Sequence, residues 1–119
     1  MPLNPDFQGF CMPISEVSGN EALERIKKSP KAVVKFYSPD CGHCVEAGPK
    51  VQAASCPYNT DIDFMAVNVD DNPEIADKFK IESIPHVVSF KRGRKVEESV
   101  GANEKEDFVQ MFARLMGLK

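Results

Sequence analysis

The run Ala32-Val33-Val34-Lys35-Phe36-Tyr37 constrains the fold more than any other stretch of the chain. It is rich in β-branched and aromatic residues and almost continuously apolar, so it reads as a strand buried on both faces. A strand of that kind needs cover above and below. The flanking segments supply it. Ser18-Gly19-Asn20-Glu21 has the form of a capping box, and it opens a helix to about Lys28 with Leu23 and Ile26 on one face and Pro30 beyond it. After the strand, Ser38-Pro39-Asp40 reads as a loop, and a second helix follows from about Gly42 to Ser55 with Pro49 inside it, where a kink is expected.

The same alternation continues. Residues 62–69 form a second apolar strand. Asn72 and Pro73 mark a helix start, with Ile75 and Phe79 four residues apart. A third strand opens at Ile84-Pro85, Arg92-Gly93 forms a hairpin turn, and residues 95–100 return antiparallel. Asn103 is expected to cap a last amphipathic helix carrying Phe108, Met111, Phe112 and Leu115. With a short edge strand at Ile14–Val17, the order is βαβαβαββα: an α/β fold with a central mixed sheet, helices on both faces, parallel crossovers and an antiparallel edge. Residues 1–13, with Pro2, Pro5, Gly9 and Pro13, read as a loosely ordered arm, pinned at most by Phe7 or Phe10. Residues 14–119 form one domain.

Composition narrows the function. With 119 residues there is room for one modest core. A net charge of −3 argues against general nucleic-acid binding, and the Lys91, Arg92, Arg94, Lys95 cluster is a solvated turn. No apolar run approaches the roughly 20 residues of a membrane span. The first residues lack the basic and apolar regions of a signal peptide, which reads as cytoplasmic, with a secretory compartment the alternative for a processed chain. Four cysteines are too few for a disulfide-built scaffold. Cys11 in the arm and Cys56 before Pro57 read as spare cysteines, each open to glutathionylation or an intermolecular contact.

The chemistry centres on Cys41-Gly42-His43-Cys44, placed between strand and helix. A cysteine at a helix start faces unpaired N–H groups and the positive end of the helix dipole, which favours its thiolate. Half a zinc or iron–sulfur site has the same spacing, but no second Cys-x-x-Cys exists, and His86 or Cys11 would have to complete it. His43, as imidazolium, would favour the Cys41 thiolate. Asp40 would oppose it, or stand simply as a solvated acid. Lys35 has two placements: a buried amine that handles the proton or charge of Cys44, or a packed stem whose head reaches water. His86 either tunes Cys41 or contacts substrate, or makes a local hydrogen bond.

Several separated stretches resemble the thioredoxin superfamily. These are residues 33–44, the helix proline Pro49, Val67-Asn68-Val69-Asp70, Ser83-Ile84-Pro85, Phe90-Lys91-Arg92-Gly93 and Gly101-Ala102-Asn103. The Cys-Gly-His-Cys centre and Phe36-Tyr37-Ser38-Pro39 are most similar to catalytic domains of protein disulfide isomerases, while the length is more like a thioredoxin. The resemblance implies a thiol–disulfide oxidoreductase acting on protein disulfides. Cys41 would be the exposed nucleophile and Cys44 the buried resolving thiol. Pro85 would be cis beside the dithiol, and the backbone of Ile84 would pair with an extended substrate strand. The Cys41–Cys44 disulfide would be the redox group, with no dissociable cofactor and no metal. A monomer is expected, with thiol- or disulfide-bearing proteins as substrates and a disulfide reductase or glutathione as electron partner. Such families usually have Trp where Asp40 stands, an acid where Lys35 stands and Thr where His86 stands; this chain has no Trp. A thioredoxin-type reductase and a redox-silent binding or chaperone module are the alternatives.

Overall fold

In the computed structural model, which describes residues 11–118, five strands stand in the order β1-β3-β2-β4-β5. The elements are β1 (Ser15–Glu16), α1 (Gly19–Lys28), β2 (Lys31–Tyr37), α2 (Gly42–Ser55), β3 (Asp63–Asn68), α3 (Pro73–Lys78), β4 (His86–Lys91), β5 (Arg94–Val100) and α4 (Lys105–Leu115). β1, β3 and β2 run parallel, and β4 and β5 are antiparallel additions. This is the thioredoxin fold, and β2 takes the centre, as its apolar run requires. The expected anchors Phe7 and Phe10 lie outside the described residues.

Side chains alternate across the sheet, and two cores result. Val34, Phe36, Met65, Val67, Val88 and Phe90 pack with Ala22 and Ile26 of α1 and Ile75 of α3. Val33, Phe64 and Val87 pack on the other face with Val51 and Ala54 of α2 and Phe108, Met111, Phe112 and Leu115 of α4. α2 therefore lies across one face of β2, and its N-terminus lies close to the C-terminal end of that strand. It runs unbroken through Pro49.

Local chemistry fixes the ends. Ser18 Oγ accepts from the Glu21 N–H at 3.2 Å, as the capping-box pattern predicts. Arg92 and Gly93 both take positive φ, 53° and 83°, as a two-residue hairpin turn with the right twist demands. Two expected caps differ. α4 is capped by Glu104, whose N–H donates to Asp107 Oδ2 at 3.0 Å in a reciprocal box. Asn103 turns back instead, donating to Ser99 Oγ at 2.6 Å. Asn72 stands at the start of α3, but its side chain ties two elements together. Its Oδ1 accepts from the Gly19 N–H and its Nδ2 donates to the Asn68 carbonyl, both at 2.9 Å.

The largest correction concerns Cys11 and Cys56, which are not spare thiols. They form a disulfide that joins the segment before β1 to the end of α2 across 45 positions of sequence. Gln52 adds to the tie: its Oε1 accepts from the Ile14 N–H at 2.9 Å and its Nε2 donates to the Met12 carbonyl at 3.0 Å.

Candidate active site

Cys41 is the N-cap of α2. Its Sγ accepts the Cys44 N–H at 3.1 Å, and its carbonyl receives the N–H groups of Cys44 and Val45. A sulfur in the N-cap role takes up one of the donors that a helix start leaves unpaired, so negative charge on Cys41 is favoured where it forms. Cys41 is partly exposed, whereas Cys44, one turn on, is 6% exposed. Both are free thiols, the reduced half of the couple.

The two thiols are therefore unequal. Burial, and then the hydrogen bond with Cys41, push Cys44 up to about 11. The Ser38 backbone and the Lys35 cation act in the opposite direction. Cys41 is the more accessible sulfur of the two, and Cys44 is held in its protonated form.

The loop before α2 is held from below. Ser38 is buried, and its Oγ donates to Asp70 Oδ2 at 2.6 Å and accepts the Asp40 N–H at 3.3 Å. The Cys41 N–H donates to the Ser38 carbonyl at 3.2 Å. Opposite lies the Ile84–Pro85 bond, which is cis, as the resemblance implied. The Ile84 carbonyl is 3.8 Å from Cys41 Sγ. The segment leading into β4 therefore presents its backbone beside Cys41 Sγ.

Lys35 shares the α2 side of the sheet with Val33 and Val87. Register sets Glu16, Ala66, Lys35 and Val87 side by side across four strands. Its stem runs beneath α2, where a β-carbon on Gly48 would lie 3.7 Å from Nζ. Nζ also lies 5.3 Å from the centre of the Tyr37 ring. Burial pushes the amine below its ordinary value, and Glu16 and Cys44 pull it back up. Tyr37 donates its hydroxyl to Glu16. Burial and that bond raise the phenol to about 12. Lys35, Tyr37 and Glu16 thus form a polar cluster that runs from under Cys44 to the sheet edge.

The remaining candidates are placed less centrally. His43 is exposed on the first turn of α2, its Nδ1 3.6 Å from Glu46 Oε1. Asp40 is exposed in the loop. His86 belongs to the opposite sheet face, opposite Phe36, and its Nε2 lies 2.7 Å from Glu98 Oε1 while Nδ1 is buried without a partner. It makes the local bond, and its partner Glu98 is held below the usual carboxylate range by Lys95 first and His86 second. Sequence reasoning missed Glu16, Ser38 and Asp70. Ile14-Ser15-Glu16-Val17 does not alternate, so no sequence signal marked Glu16, and for Ser38 and Asp70 only the packed loops show the pairing. Among the described residues, no group of three or more His, Cys, Asp or Glu side chains is set to hold a metal.

Comparison with known proteins identifies the family and the fold. The family model described as thioredoxin matches residues 14–114. A thioredoxin of the alga Porphyra purpurea is 36% identical over 92 residues, which cover 76% of this chain and 86% of that protein. A Staphylococcus haemolyticus thioredoxin is 32% identical over 101 residues, 85% of this chain and 96% of its own. Among solved structures, Plasmodium falciparum thioredoxin superposes with a TM-score of 0.79 at 28% identity, covering 85% of this chain and 98% of the other.

Proposed function

Because this chain belongs to the thioredoxin family and is a thiol–disulfide oxidoreductase, we propose that it works as a thioredoxin-type reductase of protein disulfides through Cys41 and Cys44. The observation that carries the reading is the asymmetry of the two thiols: an exposed sulfur at a helix N-cap beside a buried one raised to about 11. The similarity to proteins named thioredoxin supports reduction as the working direction.

Each step follows from that asymmetry. The Cys41 thiolate attacks one sulfur of a substrate disulfide, and the other substrate sulfur leaves as a thiolate. An extended substrate segment pairs with the backbone at Ile84, next to Cys41 Sγ. Val45, 68% exposed one residue beyond Cys44, offers an apolar contact beside the thiols. Cys44 then loses its proton, attacks Cys41 Sγ and expels the substrate's second thiolate. Lys35 acts on this second step, where its cation favours the forming Cys44 thiolate. A disulfide reductase or glutathione returns the two electrons to the Cys41–Cys44 disulfide.

One observation favours an isomerase-like variant of the same chemistry. His43 lies between the two cysteines in sequence and is exposed on the first turn of α2. In its protonated form it would stabilise the reduced state and make the disulfide a stronger oxidant. Titration of the Cys41–Cys44 pair against glutathione separates the two. A potential near about −270 mV supports the reductase reading, and one near about −180 mV supports the isomerase-like reading. Insulin reduction by the wild type but not by Cys41→Ser is expected of either; no turnover at all would leave a binding module and sink both.

A further inference from the structure

The Cys11–Cys56 disulfide lies at the far end of α2 from the catalytic thiols. Cys56 is the C-cap of the helix whose N-cap is Cys41, so the two couples are about 22 Å apart along the axis. No exchange within one molecule can link them. Both sulfurs belong to partly exposed residues, and both line an open groove of about 860 Å³ whose walls include Pro49, Ala53, Pro57 and Val109.

The surroundings of the two sulfurs differ in sign. Cys11 Sγ faces amide donors: Gln52 Nε2 at 3.4 Å and Asn59 Nδ2 at 3.5 Å. The Met12 carbonyl is farther, at 3.8 Å. Cys56 Sγ faces an acceptor, the Gln52 carbonyl oxygen at 3.4 Å. It also sits at the negative end of the α2 dipole. Charge released at Cys11 meets two N–H groups, whereas charge released at Cys56 meets a carbonyl and a helix C-terminus. In thiol–disulfide exchange the sulfur that better carries the charge is the one that leaves.

We infer that Cys11–Cys56 is a second thiol-exchange site, open to an external thiol, which attacks Cys56 and releases Cys11. The balance is simple. An incoming thiolate RS⁻ forms a bond to Cys56 Sγ, the Cys11–Cys56 bond breaks, and its electron pair stays on Cys11 as thiolate. A second thiol then attacks the R sulfur, giving R–S–S–R and the Cys56 thiolate. The disulfide has gained two electrons, and two thiols have been oxidised. The covalent tie between residue 11 and the end of α2 is opened, while the Gln52 contacts to Met12 and Ile14 remain.

The test uses the full-length Cys41→Ser/Cys44→Ser protein, so its result is independent of the chemistry at the first dithiol. Reduced glutathione is added, the reaction is quenched in acid, and adducts are mapped by mass. Glutathione on Cys56 with Cys11 as free thiol is expected in about tenfold excess over the reverse. Gln52→Leu, which removes one donor from Cys11, is expected to bring that ratio towards one. A second arm replaces glutathione with the reduced Cys11→Ser/Cys44→Ser/Cys56→Ser protein, whose Cys41 would be caught on Cys56. Capture there shows that a protein thiol as well as a small one serves the site; capture of glutathione alone limits it to small thiols. The inference is overturned if no adduct forms under conditions that reduce a small reference disulfide. It is equally overturned if the adducts are evenly split or favour Cys11, or if Gln52→Leu leaves the ratio unchanged.

Discussion

Lys35 carries two opposed energies, and both are measurable. Its ammonium loses water beneath α2, which disfavours the charged form. The same charge lowers the cost of ionising Cys44. Replacing it with Met should therefore slow the release of mixed disulfides at neutral pH by up to about tenfold, the change in thiolate population for one unit of Cys44 shift. The rise of that rate with pH should also move to higher pH. Single-turnover release of a labelled peptide from Cys41, followed across pH, reads both. An unchanged profile would show that Lys35 plays no part in resolution. Stability should change in the other direction. The amine is depressed from its ordinary value of 10.5, so the unfolded chain binds more protons between the two values, and the stability of the Lys35 protein rises with pH through that window. Lys35→Met should be more stable than its parent at neutral pH, and the gap should close as pH approaches 10.5. Urea unfolding in a Cys44→Ala background, where the thiol no longer titrates, checks this. Cys41 and Cys44 were legible in the sequence because spacing and a helix start define their chemistry. The placement of Lys35 was not, since one residue can lift its head to water or keep it under a helix, and only the packing of Gly48 above it decides.

At the scale of elements, two glycines show how contact with a neighbour decides the sign of a change. Gly48 lies inside α2, and a β-carbon there meets only Lys35 Nζ at 3.7 Å, an ordinary contact with a flexible group. Gly48→Ala should stabilise the protein by about 0.5–1 kcal/mol, the helix-interior cost of glycine. Gly19 begins α1, where a β-carbon would fall 3.1 Å from Ile75 Cγ2 and 3.3 Å from Ile75 Cβ. Ile75 is 2% exposed and has nowhere to yield. Gly19→Ala should destabilise by about 1–3 kcal/mol through overpacking. Thermal unfolding of the two variants should move in opposite directions, and a shared sign would undo the contact argument. The existence and type of each element followed from apolar period, because that pattern reports which face is buried. Cap identities did not all follow. Asn72 and Asn103 have the right chemistry for an N-cap, but each found a stronger use across elements, and Glu104 with Asp107 capped α4 in place of Asn103.

For the whole molecule, the mixed sheet flanked by helices was legible, since strands alternate with helices and a hairpin closes the chain, whereas the antiparallel entry of β4 beside β2 after the α3 crossover was not. The pairing of Cys11 with Cys56 was not, because the spacing of two cysteines 45 residues apart says nothing about whether the fold brings them together. The fold does so: β1 runs along the sheet edge beside β3, and α2 ends near where the chain enters β1. The closed loop takes in β1, α1, β2 and α2, so the cross-link removes freedom from residues 11–56 of the unfolded chain. For a loop of that length the chain-entropy relation gives about 4 kcal/mol, within the usual range for native disulfides. Gln52 keeps its bonds to Met12 and Ile14 without the cross-link, so the folded state should change little and the loss should come from the unfolded side. Cys11→Ser/Cys56→Ser in the Cys41→Ser/Cys44→Ser background should lose about 2–4 kcal/mol in urea. Its dependence on urea should steepen, as an unfolded chain free to expand exposes more surface. A loss below about 1 kcal/mol with an unchanged slope would mean that the unfolded chain already holds these segments together.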